Sequence, residues 1–332
     1  MVSVMGKRGL FLVWLCLVSI LPGMAQTEKL IDYVNPFVGT DGYGNVYPGA
    51  QIPFGGIQMS PDTDSKYYDA ASGYKYNHST LLGFSLTHLS GTGIPDLGDF
   101  LFIPGTGEMK LDPGTREEPE KGYRSRYSHE KEWASPNYYA VELSDYGVKA
   151  EMTSGVRSGM FRFTYPQSDK AFIMIDMNHT LWQSCEWANL RMENDSTITG
   201  YKLVKGWGPE RHIYFTATFS KKLTGLRFMQ NKKPVIYNTS RFRSSYEAWG
   251  KNLMACISFD TKAGEEVIVK TAISSVSTNG AKNNMAELAG LTFDDLKAKG
   301  EALWEKELGK YTLTADRKTK RTFYTSCLLY TS

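Results

Sequence analysis

From about Tyr138 onward the chain reads as strand after strand, and no helical pattern intervenes until about Ala281. The runs are Tyr139–Leu143, Val148–Thr153, Met160–Tyr165, Phe172–Met177, Thr197–Leu203, Ile213–Phe219, Met254–Phe259 and Val267–Ile273. Within Ile213–Phe219 the apolar Ile213, Phe215, Ala217 and Phe219 alternate with Tyr214, Thr216 and Thr218. That period of two sends one face to a core and the other toward solvent. Short strands separated by turn signals argue a large antiparallel β-sandwich rather than a parallel α/β sheet.

The pattern changes near Ala281. Thr292 is placed to N-cap a helix with Asp295 three residues later, and Phe293, Leu296, Leu303, Trp304 and Leu308 recur at helical spacing up to Gly309. Asp316–Tyr324 opens another helix, basic at first and then aromatic. A helical domain that starts and stops within a turn or two buries no core. The chain therefore reads as a complete β-domain plus the first piece of a helical one. On that reading Trp304 and Leu308 are expected to be exposed and to favour aggregation.

Before the strands lie two segments dense in Gly and Pro, Asn35–Asp62 and Gly83–Asp99. Gly supplies positive φ and close backbone approach, and Pro fixes φ. Among them stand Asp41, Asn45, Tyr47, Gln51, Asp62, His88, Asp96 and Asp99. Turn-forming backbone carrying polar and aromatic side chains is how a rigid scaffold presents a binding surface. These segments are the expected functional face.

The first residues read as a secretory signal peptide, residues 1–25. Lys7 and Arg8 precede the apolar Gly9–Leu21, and Gly23 and Ala25 suit cleavage after Ala25. The apolar run is short for a spanning helix, an uncleaved anchor being the alternative. Cys16 lacks the small residues that a lipoprotein site needs. The chain is thus expected to be exported, to the periplasm, cell surface or medium. Its formal charge of +3 falls to about +1 without Lys7 and Arg8, and no basic run suggests a nucleic-acid partner. Aromatics make up 13% of residues, which suits sugar recognition and a β-rich core about equally. Cys185 and Cys256 read either as one disulfide or as two buried thiols. Sequons stand at Asn77, Asn178, Asn194 and Asn238.

Motifs for chemistry are sparse. Gly39–Gly44 (GTDGYG) lacks the GKS/T ending of a phosphate loop. His88 with Asp96 and Asp99 sketches a metal site, with a hydrogen-bonded structural histidine as the plainer reading. There is no nucleophile elbow. From its residues alone, the chain is an exported β-rich domain whose polar loop face binds a small polar ligand.

Four motifs carry a resemblance. YVNPFVGT (Tyr33–Thr40), YPGAQIPFGGIQMSPDT (Tyr47–Thr63), SGYKY (Ser72–Tyr76) and GFSLTHLSGTGIPDLGD (Gly83–Asp99) together resemble the N-terminal domain of glycoside hydrolase family 92, whose members are calcium-dependent, inverting exo-α-mannosidases. The resemblance covers roughly residues 30 to 325. It implies a supersandwich-like β-domain over residues 26–280, a helical linker over 281–312 and, over 313–332, the start of an (α/α)6 barrel. Phe323–Ser326 is similar to the first barrel helix, but residues 327–332 depart from the family pattern and read as possibly non-native or divergent sequence. The resemblance further implies mannose-containing glycans as substrate and Ca2+ as cofactor, with its ligands mostly outside this chain and none assigned within it. The acid and base of an inverting hydrolysis are expected beyond residue 332, so no catalytic residue is assigned here. What this chain is expected to supply is a wall of the pocket for the terminal sugar. Gly49 corresponds to the glycine lying against the mannose, and Tyr68 and Asp69 to a Trp-Asp pair, Tyr68 replacing the Trp. His88 and Asp96–Asp99 brace the loops. The competing readings are a stand-alone carbohydrate-binding module and an inert structural sandwich.

Overall fold

The computed structural model describes residues 28–66, 68–236 and 247–331. The signal segment, the sequon at Asn238 and Ser332 lie outside the described residues. Within them, two antiparallel sheets face each other. One has seven strands, in the order Ser60–Asp62, Gly83–Ser85, Leu101–Thr106, Ser168–Asp176, Leu253–Thr261, Gly225–Gln230 and Lys233–Pro234. The other has nine, in the order Glu247–Gly250, Ser184–Asn194, Thr197–Lys205, Arg211–Phe219, Glu265–Ser274, Ser158–Tyr165, Val148–Ser154, Tyr138–Leu143 and Glu132–Ser135.

Side-chain alternation sets the layers. In Ser168–Asp176, Ile173 and Ile175 join the main core between the sheets, with Phe102, Ile257, Phe161, Phe163, Phe215 and Val269. Phe172 and Met174 point the other way. They pack with Leu101, Ile103, Met254 and Cys256 into a second core that Leu82, Tyr123, Met109 and Leu111 cover. The seven-stranded sheet is thus apolar on both faces, which explains its nearly continuous hydrophobic runs.

All eight strands read from the sequence are present. The sequence reading missed the other eight strands of the two sheets, Ser60–Asp62, Gly83–Ser85, Leu101–Thr106, Glu132–Ser135, Ser184–Asn194, Gly225–Gln230, Lys233–Pro234 and Glu247–Gly250, the first two of them inside the segments read as turn-forming. Leu101–Thr106 contains Pro104, which fits there because the ladder toward Gly83–Ser85 is confined to Phe84↔Phe102. Ser184–Asn194 is bulged twice and carries charged residues on its outer face, so its alternation is broken.

Among the described residues three α-helices follow the sandwich, α1 (Thr278–Asn284), α2 (Phe293–Leu308) and α3 (Arg317–Thr331), with a 3-10 turn at Met285–Leu288 between the first two. The Thr292/Asp295 capping box opens α2, and Gly309 closes it. Phe293 and Leu296 pack with Leu288 on Met160, on the outer face of the nine-stranded sheet. The expectation that Trp304 and Leu308 are exposed is corrected. Both are buried with Ile31, Tyr33, Val34, Tyr324 and Leu328, because the N-terminal segment lies against α2 and α3. Polar contacts fix it there. Glu305 accepts from the backbone N–H of Leu30 (3.2 Å) and Ile31 (2.8 Å), Thr325 Oγ1 accepts from Asn35 N (3.1 Å), and Trp304 Nε1 donates to the Gln51 carbonyl (2.8 Å). Cys185 and Cys256 are free, on strands of different sheets, and only Cys256 is fully buried.

Trp304 thereby joins the helices to the first Gly/Pro-rich segment. Trp304→Ala is expected to cost roughly 3–5 kcal/mol in urea unfolding, through a cavity the size of an indole and an orphaned Gln51 carbonyl. A loss below about 1 kcal/mol would contradict this packing.

Candidate functional site

The two Gly/Pro-rich segments gather at one end of the sandwich, beside the turn at Gly155–Arg157 and the loop that leaves the strand Ser168–Asp176. Their shape is set by close backbone approach. At Gly49 a Cβ would fall 2.1 Å from the Met59 carbonyl oxygen and 2.4 Å from Ser60 Cβ. Next to it, Ala50 and Met59 form a β-bridge. Chain packing against Met59 and Ser60 therefore already requires glycine at Gly49. Gly73, at φ +87°, brings its Cα so near Asp62 that a Cβ would stand 2.0 Å from Asp62 Oδ1.

Asp62 is the hub. Its carboxylate is completely buried, with Oδ1 2.8 Å from His88 Nε2 and Oδ2 2.7 Å from His179 Nε2. His88 Nδ1 lies 2.9 Å from the Gln58 carbonyl oxygen, and the Tyr47 ring packs on the imidazole at 5.1 Å between centroids. Tyr47 OH donates to Gln51 Oε1 at 2.5 Å. The chain of polar contacts continues from the His179 carbonyl, which accepts from Lys202 Nζ at 2.6 Å. Lys202 is fully buried and pairs with Asp99 at 3.0 Å. Arg211 holds the same carboxylate through two nitrogens, at 2.6 and 3.2 Å, and Thr87 Oγ1 donates to it at 2.7 Å. Asp96 accepts instead from the backbone N–H of Leu97 (2.6 Å) and Trp207 (3.3 Å).

These contacts fix the charge states. Burial pushes the Asp62 carboxyl up, but the His88 and His179 charges and hydrogen bonds outweigh it and hold the group below the ordinary carboxylate range. Asp99 behaves alike: burial raises it, while Lys202 and Arg211, with the hydrogen bonds of Arg211 and Thr87, bring it down further.

His88, Asp96 and Asp99 do not converge on a common centre, so the metal-site sketch is replaced by the structural reading. Among the described residues no group of three or more His, Cys, Asp or Glu is placed to hold a metal ion. Of the buried carboxylates, Asp62 is already engaged by two imidazoles and Asp99 by Lys202 and Arg211. The described residues by themselves do not make a calcium shell.

Around this network open two cavities of about 470 Å3 each. One is lined by Gln58, Thr87, His88, Arg157 and Arg211. The other is lined by Lys66, Tyr123, Asp176, Asn178, His179 and Trp182. Tyr68 stands at the edge of the second, more than half exposed, with its ring edge-on to that of Trp182 (6.2 Å, 81°). Asp69 is half exposed, and His78 Nε2 lies 3.9 Å from it. His88, by contrast, has no exposed side-chain surface. Its ring nitrogens are engaged within the protein, so it acts on the loops that surround it. Lys75, of the SGYKY motif, donates to the Gly42 carbonyl, and Tyr74 to the buried Glu132.

Sequence reasoning missed His179, Trp182, Lys202 and Arg211. Lys202 carried a signal: in Thr197–Lys205 it follows Ile198 and Gly200 on the core-facing register, where a charge needs a buried partner. His179 and Trp182 sit in a stretch read only for its sequon.

A large antiparallel sandwich with a polar loop end, pinned by buried ion pairs and rimmed by exposed aromatic rings, is the class of domain these observations define. The family model described as the glycosyl hydrolase family 92 N-terminal domain matches residues 33–274, and the chain belongs to that family. Over 90% of its length it is 90% identical to a family GH92 alpha-mannosidase from Bacteroides thetaiotaomicron, with a TM-score of 0.89. A second structure of that mannosidase is a complex with mannoimidazole. A further GH92 family glycosyl hydrolase is 25% identical over 90% of this chain, with a TM-score of 0.77. An uncharacterized secreted glycosidase of Arthroderma benhamiae is 30% identical over 147 residues, 44% of this chain and 19% of that protein. The chain spans 40% of the length of each of these structures.

Replacing the hub carboxylate by an amide removes its charge and sets an NH2 group where one of the two buried imidazoles has its acceptor oxygen. Asp62→Asn is expected to cost roughly 3–5 kcal/mol at neutral pH. Because the folded-state pKa of Asp62 is depressed, its contribution is full above the unfolded carboxylate value, about 3.9, and is lost as pH falls through the folded value. Urea midpoints taken from pH 7 downward are expected to fall below about pH 4 in the wild type and more shallowly in the variant. Parallel acid limbs would contradict the assignment.

Proposed function

We propose that this chain is the N-terminal part of an exported, inverting exo-α-mannosidase, and that it supplies one wall of the pocket for the terminal mannose. The observation that carries the reading is the 90% identity, over 90% of the chain, to a protein named as an alpha-mannosidase. The domain scheme that goes with it is residues 26–280 as sandwich, 281–312 as linker and 313–332 as the start of a helical barrel. Lys7, Arg8 and the apolar run after them support export, and one relative is described as secreted.

Inverting hydrolysis needs a carboxylic acid that protonates the leaving oxygen and a carboxylate that activates water from the opposite face. The acid must hold its proton near the working pH, which calls for a raised pKa. Asp62 and Asp99 are the reverse, both held below the ordinary carboxylate range by their partners. Neither is therefore assigned as the acid; that the pair lies in chain beyond residue 332 is what the family resemblance implies. Gly49, Tyr68 and Asp69 are the residues proposed to face the sugar, with Tyr68 offering a flat ring and a hydroxyl. His88 is proposed to act by holding the loop.

A stand-alone carbohydrate-binding module is the second reading. It is favoured by one observation: α2 finds its packing partners within the chain, so the helix no longer demands a missing domain.

The test compares two proteins on an α-linked mannobiose, the 332-residue chain and the chain extended by its downstream reading frame. The extended protein is expected to release mannose first as the β-anomer, followed by NMR, and the 332-residue chain to release none. In the extended protein Tyr68→Ala is expected to lower kcat/KM by about tenfold or more. Turnover by the 332-residue chain alone, or mannose released first as the α-anomer, would overturn the proposal.

A further inference from the structure

Arg124, Arg116 and Lys66 line a small cavity of about 180 Å3. Both arginines stand in the segment that covers the second core, next to Tyr123, and Lys66 stands in the segment that leads from Asp62 to Tyr68. Arg124 is only 5% exposed. One of its terminal nitrogens donates to the Thr63 carbonyl (2.5 Å) and to Thr80 Oγ1 (3.2 Å), both neutral acceptors. Its Nε, sheltered from solvent, has no hydrogen-bond partner. Among the described residues no carboxylate oxygen stands within 4.0 Å of this guanidinium. Arginine keeps its charge at any working pH, and a charge buried without a counter-ion is costly. Burial accordingly pushes the Arg124 guanidinium below its ordinary value, with Asp64 opposing it in part.

The neighbouring groups do not make up the deficit. Asp64 is the buried carboxylate of the lining. Its Oδ1 accepts from Ser65 N (2.7 Å) and Lys66 N (3.0 Å), and its Oδ2 lies 3.6 Å from Arg116 Nε. Arg116 also donates to His78 Nε2. Arginine has no acceptor, so His78 accepts at Nε2, carries its proton on Nδ1 and donates from there to Thr63 Oγ1 (3.0 Å). His78 is therefore neutral, and burial and Arg116 both hold its pKa below the usual histidine value. Asp69, 3.9 Å from His78 Nε2, is outside the lining. Glu117 is in the lining and exposed. Three cationic side chains thus face two carboxylates, and only one of those is buried with them.

A single guanidinium fork matches a planar carboxylate. Cations that converge from separate segments suit an anion with oxygens on several sides. We propose that this cavity binds a tetrahedral oxyanion, phosphate or sulfate, free or as an ester on a larger molecule, between Arg124, Arg116 and Lys66. The bound anion ties the segment bearing the two arginines to the one that leads into Tyr68 and Asp69. The inference stands apart from the mannosidase reading, since it uses none of the residues assigned to the sugar.

The test is thermal unfolding and NMR of the 332-residue chain, titrated at one ionic strength with sodium phosphate, sodium sulfate, a hexose 6-phosphate, sodium acetate and sodium chloride. Phosphate or sulfate is expected to raise Tm saturably, by about 2 °C or more over chloride. It is also expected to shift the Nε–H resonance of Arg124. Arg116→Gln, at a partly exposed position, is expected to fold and to weaken phosphate binding by about tenfold or more. Lys222→Gln, at an exposed lysine outside the cavity, is expected to bind as the wild type does. Tighter binding of the hexose phosphate than of phosphate assigns the site to an esterified anion, and the reverse order assigns it to the free ion. No saturable effect beyond chloride, an unmoved Arg124 resonance, or unchanged binding by Arg116→Gln would overturn the proposal. Acetate acting as strongly as phosphate would overturn the tetrahedral assignment.

Discussion

One buried carboxylate shared between two imidazoles organises the loop end of this protein. Asp62, His88 and His179 come from three segments far apart in sequence, and each would be costly to bury alone. Together they satisfy one another, and Gly73 leaves the room they need. Asp99, held by Lys202, Arg211 and Thr87, repeats the arrangement one strand away. Loops with little regular structure thereby acquire fixed positions. The sandwich supplies the platform, and the ion pairs set where the loops stand on it.

The same contacts decide what chemistry the chain can offer. Asp62 and Asp99, held below the ordinary carboxylate range by their partners, have no proton to give near neutral pH, so these two acids serve position rather than proton donation. What the loops present outward is different in kind: Tyr68, Asp69 and Trp182, around a cavity with a polar lining. In the proposed function this division is natural. Recognition sits on a rigid β-domain, and the reacting carboxylates are brought by other chain.

Much of the architecture was legible in the sequence because it rests on local rules. Alternation in Ile213–Phe219 and the Thr292/Asp295 cap are read within a few residues, and both are found as expected. Strands whose alternation is broken by bulges or proline, Ser184–Asn194 and Leu101–Thr106, were not legible, because long-range pairing and not local pattern makes them. The burial of Trp304 and Leu308 was misjudged for a similar reason. Their partners, Ile31 and Tyr33, lie some 270 residues away, and no periodicity links them. At the site, Asp62 and His88 stood out as polar residues among glycines, but their pairing did not, since His179 carries no motif. Gly49 was read for an open pocket, and the structure shows close backbone packing at that position.

The most direct test of this account is amide hydrogen exchange across the two Gly/Pro-rich segments. If buried ion pairs make these loops part of the scaffold, the amides of Gln58, Leu82, Leu86 and Gly98, each hydrogen-bonded to a backbone carbonyl across the loop face, should be protected. Their protection should approach that of Ile173 and Ile257 in the central strands of the seven-stranded sheet. Exchange of these amides at the rate of exposed turns, with the strands still protected, would contradict the central claim that the Asp62 network holds the loop face rigid.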